Sequence, residues 1–372
     1  SVPKTSGTAD VTQNTAEISG GSIGGSVYGG QNVGTGNADQ NNVKLSGGSI
    51  AGSIYGAYAA GSGSAKDNSI TITGGSIGHD IYGGYAAGGK TTGNTVNIGD
   101  GSHALSAGTS IAGTIYGGNQ ADVKDNTLNV KTNATAGNIA GFAKIKFELN
   151  GSLNSAQPML RLTNGAATTG LDWAGVEAAP MPSHVTVKTY EPYQLTLMHN
   201  SAGLNFVQGG KDTYAPIGAK ERVQGNLEFV IDTDSHAAQA RSVYLSGYQF
   251  QNNTGAAYTA ADGTHSAAWG GRTAVGNTVT NNKLTVSGGS LTDAAYGGLV
   301  ENHKRNAGGP LSTGDAVKNT VILSSGANAA AVYGADVRTR AGSAKENRAE
   351  MSGGSVTGNV YGAALSADNA SG

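Results

Sequence analysis

Residues 68–84 read Asn-Ser-Ile-Thr-Ile-Thr-Gly-Gly-Ser-Ile-Gly-His-Asp-Ile-Tyr-Gly-Gly. Its first half alternates apolar and polar side chains with a period of two, which predicts a strand buried on one face. The pair Gly74-Gly75 predicts a corner, because glycine reaches positive φ at little steric cost. A second short strand follows, with Ile77 and Ile81 on one side, and Tyr82-Gly83-Gly84 predicts another corner.

The same phrase returns along the chain at a fixed spacing. Fourteen residues separate an Asn from the Tyr of a Tyr-Gly pair in six copies: Asn14 to Tyr28, Asn41 to Tyr55, Asn68 to Tyr82, Asn282 to Tyr296, Asn319 to Tyr333 and Asn347 to Tyr361. A further copy, from Asn94 to Tyr116, carries eight extra residues. The first three copies repeat every 27 residues. Self-similarity at a period of this size indicates a stacked repeat architecture.

These signals predict an all-β fold: a right-handed parallel β-helix, or solenoid, with an irregular middle section. Short strands joined by glycine corners would pair from copy to copy about 4.8 Å apart, and parallel crossovers are right-handed in nearly all cases. Equivalent residues would then lie above one another. One set, Asn14, Asn41, Asn68, Asn94 and Asn126, would either form a hydrogen-bonded ladder or cap individual turns.

Three segments are predicted: regular repeats at 1–141, an irregular middle at 142–275 and regular repeats at 276–372. The repeat decays where Ala140-Gly141 stands in place of Tyr-Gly, and all five Phe and both Trp fall in the middle segment. Strand-like runs persist there at residues 144–149, 184–187 and 226–231, without the repeat spacing. The middle is either a bulkier stretch of the same β-helix, which we favour, or an inserted β subdomain.

Composition argues against several classes of function. The chain has 372 residues, 61 Gly, no Cys and a net charge of −2. The lack of Cys excludes a disulfide scaffold and a thiolate metal site, and the near-neutral charge gives no reason to expect nucleic acid or an anionic membrane as a partner. The seven His form no i,i+4 pair, and calcium-binding Gly-Gly-x-Gly-x-Asp repeats are absent, so we expect no metal and no cofactor.

The tyrosines of the Tyr-Gly pairs are the main candidates for a binding surface. Val27, Ile54 and Ile81 should point inward, so alternation turns the next residue outward. Stacked tyrosines would offer contact area at low entropy cost to sugars or protein partners; alternatively, the rings pack over the corner glycines and shield strand edges. The candidates are Tyr28, Tyr55, Tyr58, Tyr82, Tyr85 and Tyr116, with Trp173 and Trp269, whose side chains we expect to be exposed.

The sequence contains patterns that are typical of catalytic sites. They either recur with the period of the repeat or have a simpler interpretation. Residues 20–24 and 74–78 satisfy Gly-x-Ser-x-Gly, yet no helix follows, so a corner is favoured over a nucleophile. Alternation places Glu228, Asp232 and Asp234 on one side of a strand, and paired carboxylates can serve glycoside hydrolysis. Because such a run is usually a solvated face, we predict that the chain is not an enzyme. A polysaccharide-cleaving enzyme on a β-helix scaffold is the alternative.

The chain resembles the passenger domain of type V autotransporters, the AIDA-like and pertactin-like adhesins of Gram-negative bacteria. The resemblance rests on the Gly-Gly-Ser-Ile…Tyr-Gly-Gly repeats, and on Pro158-Met159-Leu160-Arg161-Leu162 with Leu171-Asp172-Trp173. It implies a right-handed β-helix at the cell surface or outer membrane, exposed or secreted, with a role in adhesion.

The same resemblance implies the partners. These are a host cell-surface protein or glycan, or the same protein on a sister cell during aggregation or biofilm formation. Members of the family are secreted through a C-terminal outer-membrane barrel that this fragment would lack, so contact with a membrane is expected only through that barrel. A phage tailspike-like fibre is the remaining alternative.

Overall fold

The computed structural model describes residues 7–150, 153–182, 185–207, 219–235, 238–301, 314–339 and 341–365. The chain is all-β, with 56% of its residues in strands and 2% in helix. Nearly all of the described strand pairs are parallel, an arrangement compatible with a parallel β-solenoid. Within these ranges, no helix has both the length and the apolar character needed to cross a membrane.

The chain divides into two compact units. The first comprises Ser1–Pro182, Leu195–Ile217 and Thr233–Tyr244, and the second comprises Ser183–Gln194, Gly218–Asp232 and Leu245–Gly372. Segment 142–275 contributes to both units, and the boundaries at 141 and 275 stay a prediction.

The strands are mostly short. The first twenty are β1 Val11–Thr12, β2 Thr15–Ile23, β3 Val27–Asn32, β4 Ala38–Asp39, β5 Asn42–Ile50, β6 Ile54–Ala59, β7 Ser69–Ile72, β8 Ser76–Ile77, β9 Ile81–Ala86, β10 Thr95–Ile98, β11 Ser110–Ile111, β12 Thr114–Gly118, β13 Thr127–Val130, β14 Ala134–Ala136, β15 Asn138–Ala140, β16 Lys144–Glu148, β17 Leu160–Leu162, β18 Thr168–Asp172, β19 Val176–Ala179 and β20 Tyr193–Val207. The others are β21 Lys220–Gln224, β22 Leu227–Thr233, β23 Gln239–Gln249, β24 Ala256–Tyr258, β25 Thr264–Thr273, β26 Val279–Thr280, β27 Lys283–Val286, β28 Gly289–Val300, β29 Ala316–Val317, β30 Thr320–Leu323, β31 Ala327–Val337, β32 Ala344–Lys345, β33 Arg348–Met351, β34 Ser355–Val356, β35 Val360–Tyr361 and β36 Ala364–Leu365. Two 3-10 turns, Trp173–Gly175 and Ala260–Asp262, make up the described helix.

Two parallel sheets of the first unit carry the repeat. Successive copies contribute β2, β5, β7, β10 and β13 to one sheet, which β16 continues, and β3, β6, β9, β12 and β15 to the other. Equivalent residues pair with one another: Val43 with Ile70, Ile70 with Val96, and Val96 with Leu128. All four side chains are buried. The prediction that like residues meet from copy to copy is therefore confirmed for these strands.

An asparagine ladder runs alongside these sheets. The Nδ2 group of Asn14 donates to Oδ1 of Asn41 at 3.0 Å, and the same bond links Asn41 to Asn68, Asn68 to Asn94 and Asn94 to Asn126 at 3.0–3.4 Å. The Nδ2 group of Asn41 also donates to the main-chain carbonyl of Val11 at 2.9 Å. Of the two predicted roles, the ladder is confirmed, and its members also satisfy nearby main-chain groups.

The two glycine pairs of each copy serve different purposes. Gly75 has a φ of +90° and lies between β7 and β8, where a corner is predicted. Tyr82-Gly83-Gly84, by contrast, lies inside β9, so the prediction of a corner there is wrong. A Cβ on Gly83 would lie 2.6 Å from the carbonyl oxygen of Gly117 and 3.0 Å from Cβ of Asn94. Glycine is required there because the next strand and the ladder approach closely.

Two of the three strand-like runs predicted in the middle segment form strands. These are β16 and β22, whereas residues 185–187 lie in irregular structure and His184 lies outside the described residues. An alternating run becomes a strand only where a neighbouring strand supplies hydrogen bonds for its main chain.

The second unit repeats the pattern with its own sheets. One parallel sheet contains β24, β27, β30 and β33, another contains β25, β28 and β31 with β34, β35 and β36, and a third contains β26, β29 and β32. Leu284 pairs with Val321 in register, and both side chains are buried. Asn282, Asn319 and Asn347 form a second asparagine ladder with Nδ2 to Oδ1 distances of 2.8 and 2.9 Å.

Candidate functional site

Six tyrosines of the first unit form a surface that we call the tyrosine face. Its first column consists of residues at equivalent positions of β3, β6, β9 and β12, namely Tyr28, Tyr55, Tyr82 and Tyr116. Its second column consists of Tyr58 and Tyr85, which pair three residues further along β6 and β9. The apolar residues that precede the first column are buried. Alternation therefore turns the first column toward solvent, as predicted.

Within each column the rings are stacked with nearly parallel planes. Centroid distances in the first column are 5.0 Å for Tyr28–Tyr55, 5.1 Å for Tyr55–Tyr82 and 4.7 Å for Tyr82–Tyr116, with interplanar angles of 4–5°. In the second column, Tyr58 and Tyr85 stack at 4.9 Å and 5°. These distances match the strand spacing of about 4.8 Å. The sheet thus sets the spacing of the rings, because equivalent side chains on paired strands repeat at the distance between the strands.

The two columns meet edge to face. The centroids of Tyr55 and Tyr58 are 5.4 Å apart at 86°, and those of Tyr82 and Tyr85 are 5.5 Å apart at 88°. All six rings are half-buried. Because neighbouring rings hold one another in place, the face is an ordered surface that exposes ring edges.

One carboxylate contacts the tyrosine face. The hydroxyl of Tyr82 lies 3.3 Å from Oδ2 of Asp80, whose Oδ1 accepts the N–H of Thr114 at 2.8 Å. Burial raises the pKa of Tyr55 and of Tyr82, and the negative charge of Asp80 adds to the increase at Tyr82. These two phenols therefore keep their protons at neutral pH, so they present hydroxyl groups rather than charge.

Both tryptophans proposed for the surface are buried, so the expectation of exposed rings is wrong. Trp173 is 3% exposed and packs edge to face against Phe206 with centroids 5.1 Å apart. Trp269 is 6% exposed and pairs in register with Tyr296, which puts it in the tyrosine position of a further copy. The phrase Trp269-Gly270-Gly271, which differs from Tyr-Gly-Gly by one aromatic residue, is the signal that could have revealed this copy.

Trp269 begins an aromatic column in the second unit that we call the covered column. Its members, paired in register, are Trp269, Tyr296, Tyr333 and Tyr361. The guanidinium of Arg272 lies 4.5 Å from the ring centroid of Trp269, and that of Arg338 lies 5.5 Å from that of Tyr296. Glu301 accepts from both arginines at 2.7 and 3.3 Å. The first two rings of this column are therefore packed inside the protein, unlike the rings of the tyrosine face.

The three carboxylates considered for glycoside chemistry have different environments. Glu228 is fully buried and accepts hydrogen bonds from the N–H of Ala274 at 2.9 Å, from Asn277 Nδ2 at 2.7 Å and from the hydroxyl of Thr273 at 2.5 Å. Burial raises the pKa of Glu228. Asp232 is 8% exposed, whereas Asp234 is exposed and accepts the N–H of Arg241 at 3.0 Å. Of these three carboxylates, only Asp234 is exposed, so the three do not share a solvent-facing surface.

The eight-residue insertion of the Asn94–Tyr116 copy helps form a small pocket of about 220 Å³. Asp100 and His103 line it, with Oδ2 and Nδ1 2.9 Å apart, and the bond from His103 and the main-chain N–H groups lower the pKa of Asp100. Asp100 also accepts the N–H of Ser102 at 2.8 Å, so it shapes this loop. Among the residues that the structure describes, no three His, Asp or Glu side chains gather in a way that could hold a metal.

No protein-family model, no curated protein and no solved structure matches this chain.

Proposed function

We propose that this chain is part of the passenger of a surface-displayed autotransporter adhesin, built as a right-handed parallel β-helix. In-register parallel pairing of equivalent residues within each unit supports the β-helix. The strong preference of parallel crossovers for the right hand supports the handedness. The resemblance of the repeats to autotransporter passengers supports display at the cell surface of a Gram-negative bacterium.

The tyrosine face is the observation that carries the adhesive role. Tyrosine contributes a large amphipathic contact area at low entropy cost. The stacked and edge-to-face contacts already order these rings, so less conformational freedom is lost when a partner binds. A net charge of −2 leaves little long-range attraction, so short-range contact has to provide the affinity.

The partner is a host cell-surface protein or glycan, or another copy on a sister cell. Ring edges and hydroxyl groups can contact the apolar and polar parts of either kind of surface. A single contact through the tyrosine face binds with modest affinity. Many copies on one cell raise the overall strength, because each further contact forms at a high effective concentration.

Adhesion can be tested by displaying the chain on a bacterium that neither aggregates nor adheres by itself. We expect the native chain to cause settling of the cells or attachment to host cells, and we expect the double variant Tyr55→Ser, Tyr82→Ser to lose most of this effect. The matched control is Lys44→Ser, Lys146→Ser, which alters two exposed residues on the other sheet of the same unit and should behave like the native chain. Surface amounts are equalised with an antibody, and circular dichroism confirms that the variants fold.

Two results would contradict the proposal. If cells that display the native chain neither settle nor attach, the adhesive role is wrong. If the tyrosine variant adheres as strongly as the control, adhesion does not use the tyrosine face.

A further inference from the structure

Tyrosines that are stacked on adjacent strands hold their reactive ring carbons close together. In the first column of the tyrosine face the centroids are 4.7–5.1 Å apart and the ring planes agree within 5°. Because the rings are equivalent side chains on paired strands and their planes are nearly parallel, the carbons ortho to the hydroxyl follow one another from ring to ring at about the spacing of the centroids. All four rings are half-buried, so an oxidant in solvent can reach the exposed part of each ring.

Tyr82 also has a base in contact with its hydroxyl. An ionised carboxylate can only accept a hydrogen bond, so the phenol of Tyr82 donates to Asp80 across the 3.3 Å between their oxygens. Burial keeps this phenol protonated by raising its pKa. Loss of an electron from the ring therefore has to be accompanied by loss of the proton, and Asp80 is placed to accept it.

The pair Tyr296–Tyr333 of the covered column provides a contrast within the same chain. Tyr296 and Tyr333 are also stacked, with centroids 5.2 Å apart at 16°. However, Tyr296 is 2% exposed, and its hydroxyl oxygen accepts a hydrogen bond from Arg338 Nη2 at 2.7 Å. A positively charged donor at the phenol oxygen opposes removal of an electron from the ring, and burial keeps the oxidant away.

We infer that the tyrosine face is a site of oxidative modification, at which a peroxidase-type one-electron oxidant joins neighbouring tyrosines of the first column as dityrosine. Each of two tyrosines loses one electron and its phenolic proton, which Asp80 accepts when the residue is Tyr82. The two radicals join through one ortho carbon each, and the hydrogen on each of these carbons moves as a proton to the phenol oxygen of its ring. Hydrogen peroxide takes up the two electrons and the two protons and leaves as two molecules of water.

The new carbon–carbon bond connects strands that are otherwise joined by hydrogen bonds. A link between Tyr55 and Tyr82, for example, ties β6 to β9 covalently. Cross-linking constrains the unfolded chain, so linked molecules should resist unfolding more than unlinked ones.

The sequence makes the linked product easy to locate. Cleavage after Lys and Arg places Tyr28, Tyr55, Tyr82 and Tyr116 on four different peptides, residues 5–44, 45–66, 67–90 and 91–124. The purified full chain is treated with horseradish peroxidase and limiting hydrogen peroxide, and dityrosine is followed by its fluorescence. We expect mass spectrometry to find neighbouring peptides of this set joined with loss of two hydrogens. Joined peptides 284–304 and 319–338, which carry Tyr296 and Tyr333, should be rare.

Three variants separate the parts of the proposal. Tyr58→Phe with Tyr85→Phe should leave the link between peptides 45–66 and 67–90 in place, because that link belongs to the first column. Asp80→Asn removes the base but keeps an oxygen for the N–H of Thr114, and it should lower the initial rate of linkage severalfold. Tyr333→Phe is the control and should leave the linkage in the first unit unchanged.

The inference does not depend on adhesion, so its test stands apart from the display experiment. It is overturned if the native chain gives no dityrosine, or if the Tyr296–Tyr333 link forms as readily as links in the first column. It is also overturned if the link between peptides 45–66 and 67–90 disappears in the Tyr58→Phe, Tyr85→Phe variant. An unchanged rate in Asp80→Asn would remove the carboxylate from the mechanism.

Discussion

At the scale of single residues, glycine and asparagine determine how closely the copies approach one another. Asn41, Asn68 and Asn94 are almost completely buried, and the ladder that they form crosses from copy to copy. Gly83 is needed because the next strand and the ladder leave no room for a Cβ. The repeated Asn positions predicted the ladder as one of two possibilities. The corner predicted at Gly83 was wrong, because a glycine required by close approach looks the same in a sequence as one required by positive φ.

The crowding at Gly83 leads to a prediction about stability. Gly83→Ala should lower the free energy of unfolding by about 1–3 kcal/mol, as overpacking of a tight interior usually does. The matched control is Gly24→Ala, because a Cβ at Gly24 has no heavy atom within 4 Å. Urea unfolding of both variants measures the difference. Equal midpoints for the two would mean that the strands are not as close at Gly83 as described.

At the scale of strands, the period-two alternation predicted the paired elements well. Val43 and Ile70 were expected on buried faces of equivalent strands, and they pair in β5 and β7. Hydrogen-bond partners that lie far apart along the chain could not be predicted from the sequence. Buried Glu228 accepts hydrogen bonds from Thr273 and Asn277, which lie more than forty residues away along the chain. No local sequence pattern indicates these partners.

Glu228 gives the stability of the chain a definite pH dependence. Burial raises its pKa in the folded state above the ordinary value of 4.5. The stability that this group contributes is therefore fully present below the unfolded pKa and is lost as pH rises through the folded pKa. Gln cannot ionise, so the stability of Glu228→Gln relative to the native chain should increase as pH rises from about 4 to about 7.

Urea midpoints at several pH values test this expectation. Glu346→Gln, which changes an exposed residue of the same unit, is the control. A difference between Glu228→Gln and the native chain that stays constant with pH would show that Glu228 does not titrate in a buried environment.

At the scale of the whole chain, the sequence predicted the fold class and the location of the repeats more completely than it predicted the structure of the middle segment. The all-β class and the tyrosines of the first column follow from alternation and from a fixed spacing. The copy that contains Trp269 was missed, because Trp replaces Tyr there and sixteen residues rather than fourteen separate it from Asn253. The edge-to-face contact between Tyr55 and Tyr58 depends on the path of β6, which the spacing of residues does not specify.

The central claim is that successive copies pair in parallel and in register, and a distance measured between two spin labels tests it most directly. The chain has no Cys, so Lys44→Cys and Lys146→Cys provide two unique labelling sites. Lys44 is connected to Lys146 by four register steps, through Thr71, Asn97 and Asn129. Four strand spacings predict a backbone separation of about 19 Å, so pulsed electron paramagnetic resonance should give one narrow distribution near that distance. A broad distribution, or one centred far beyond it, would contradict the stacking of the copies.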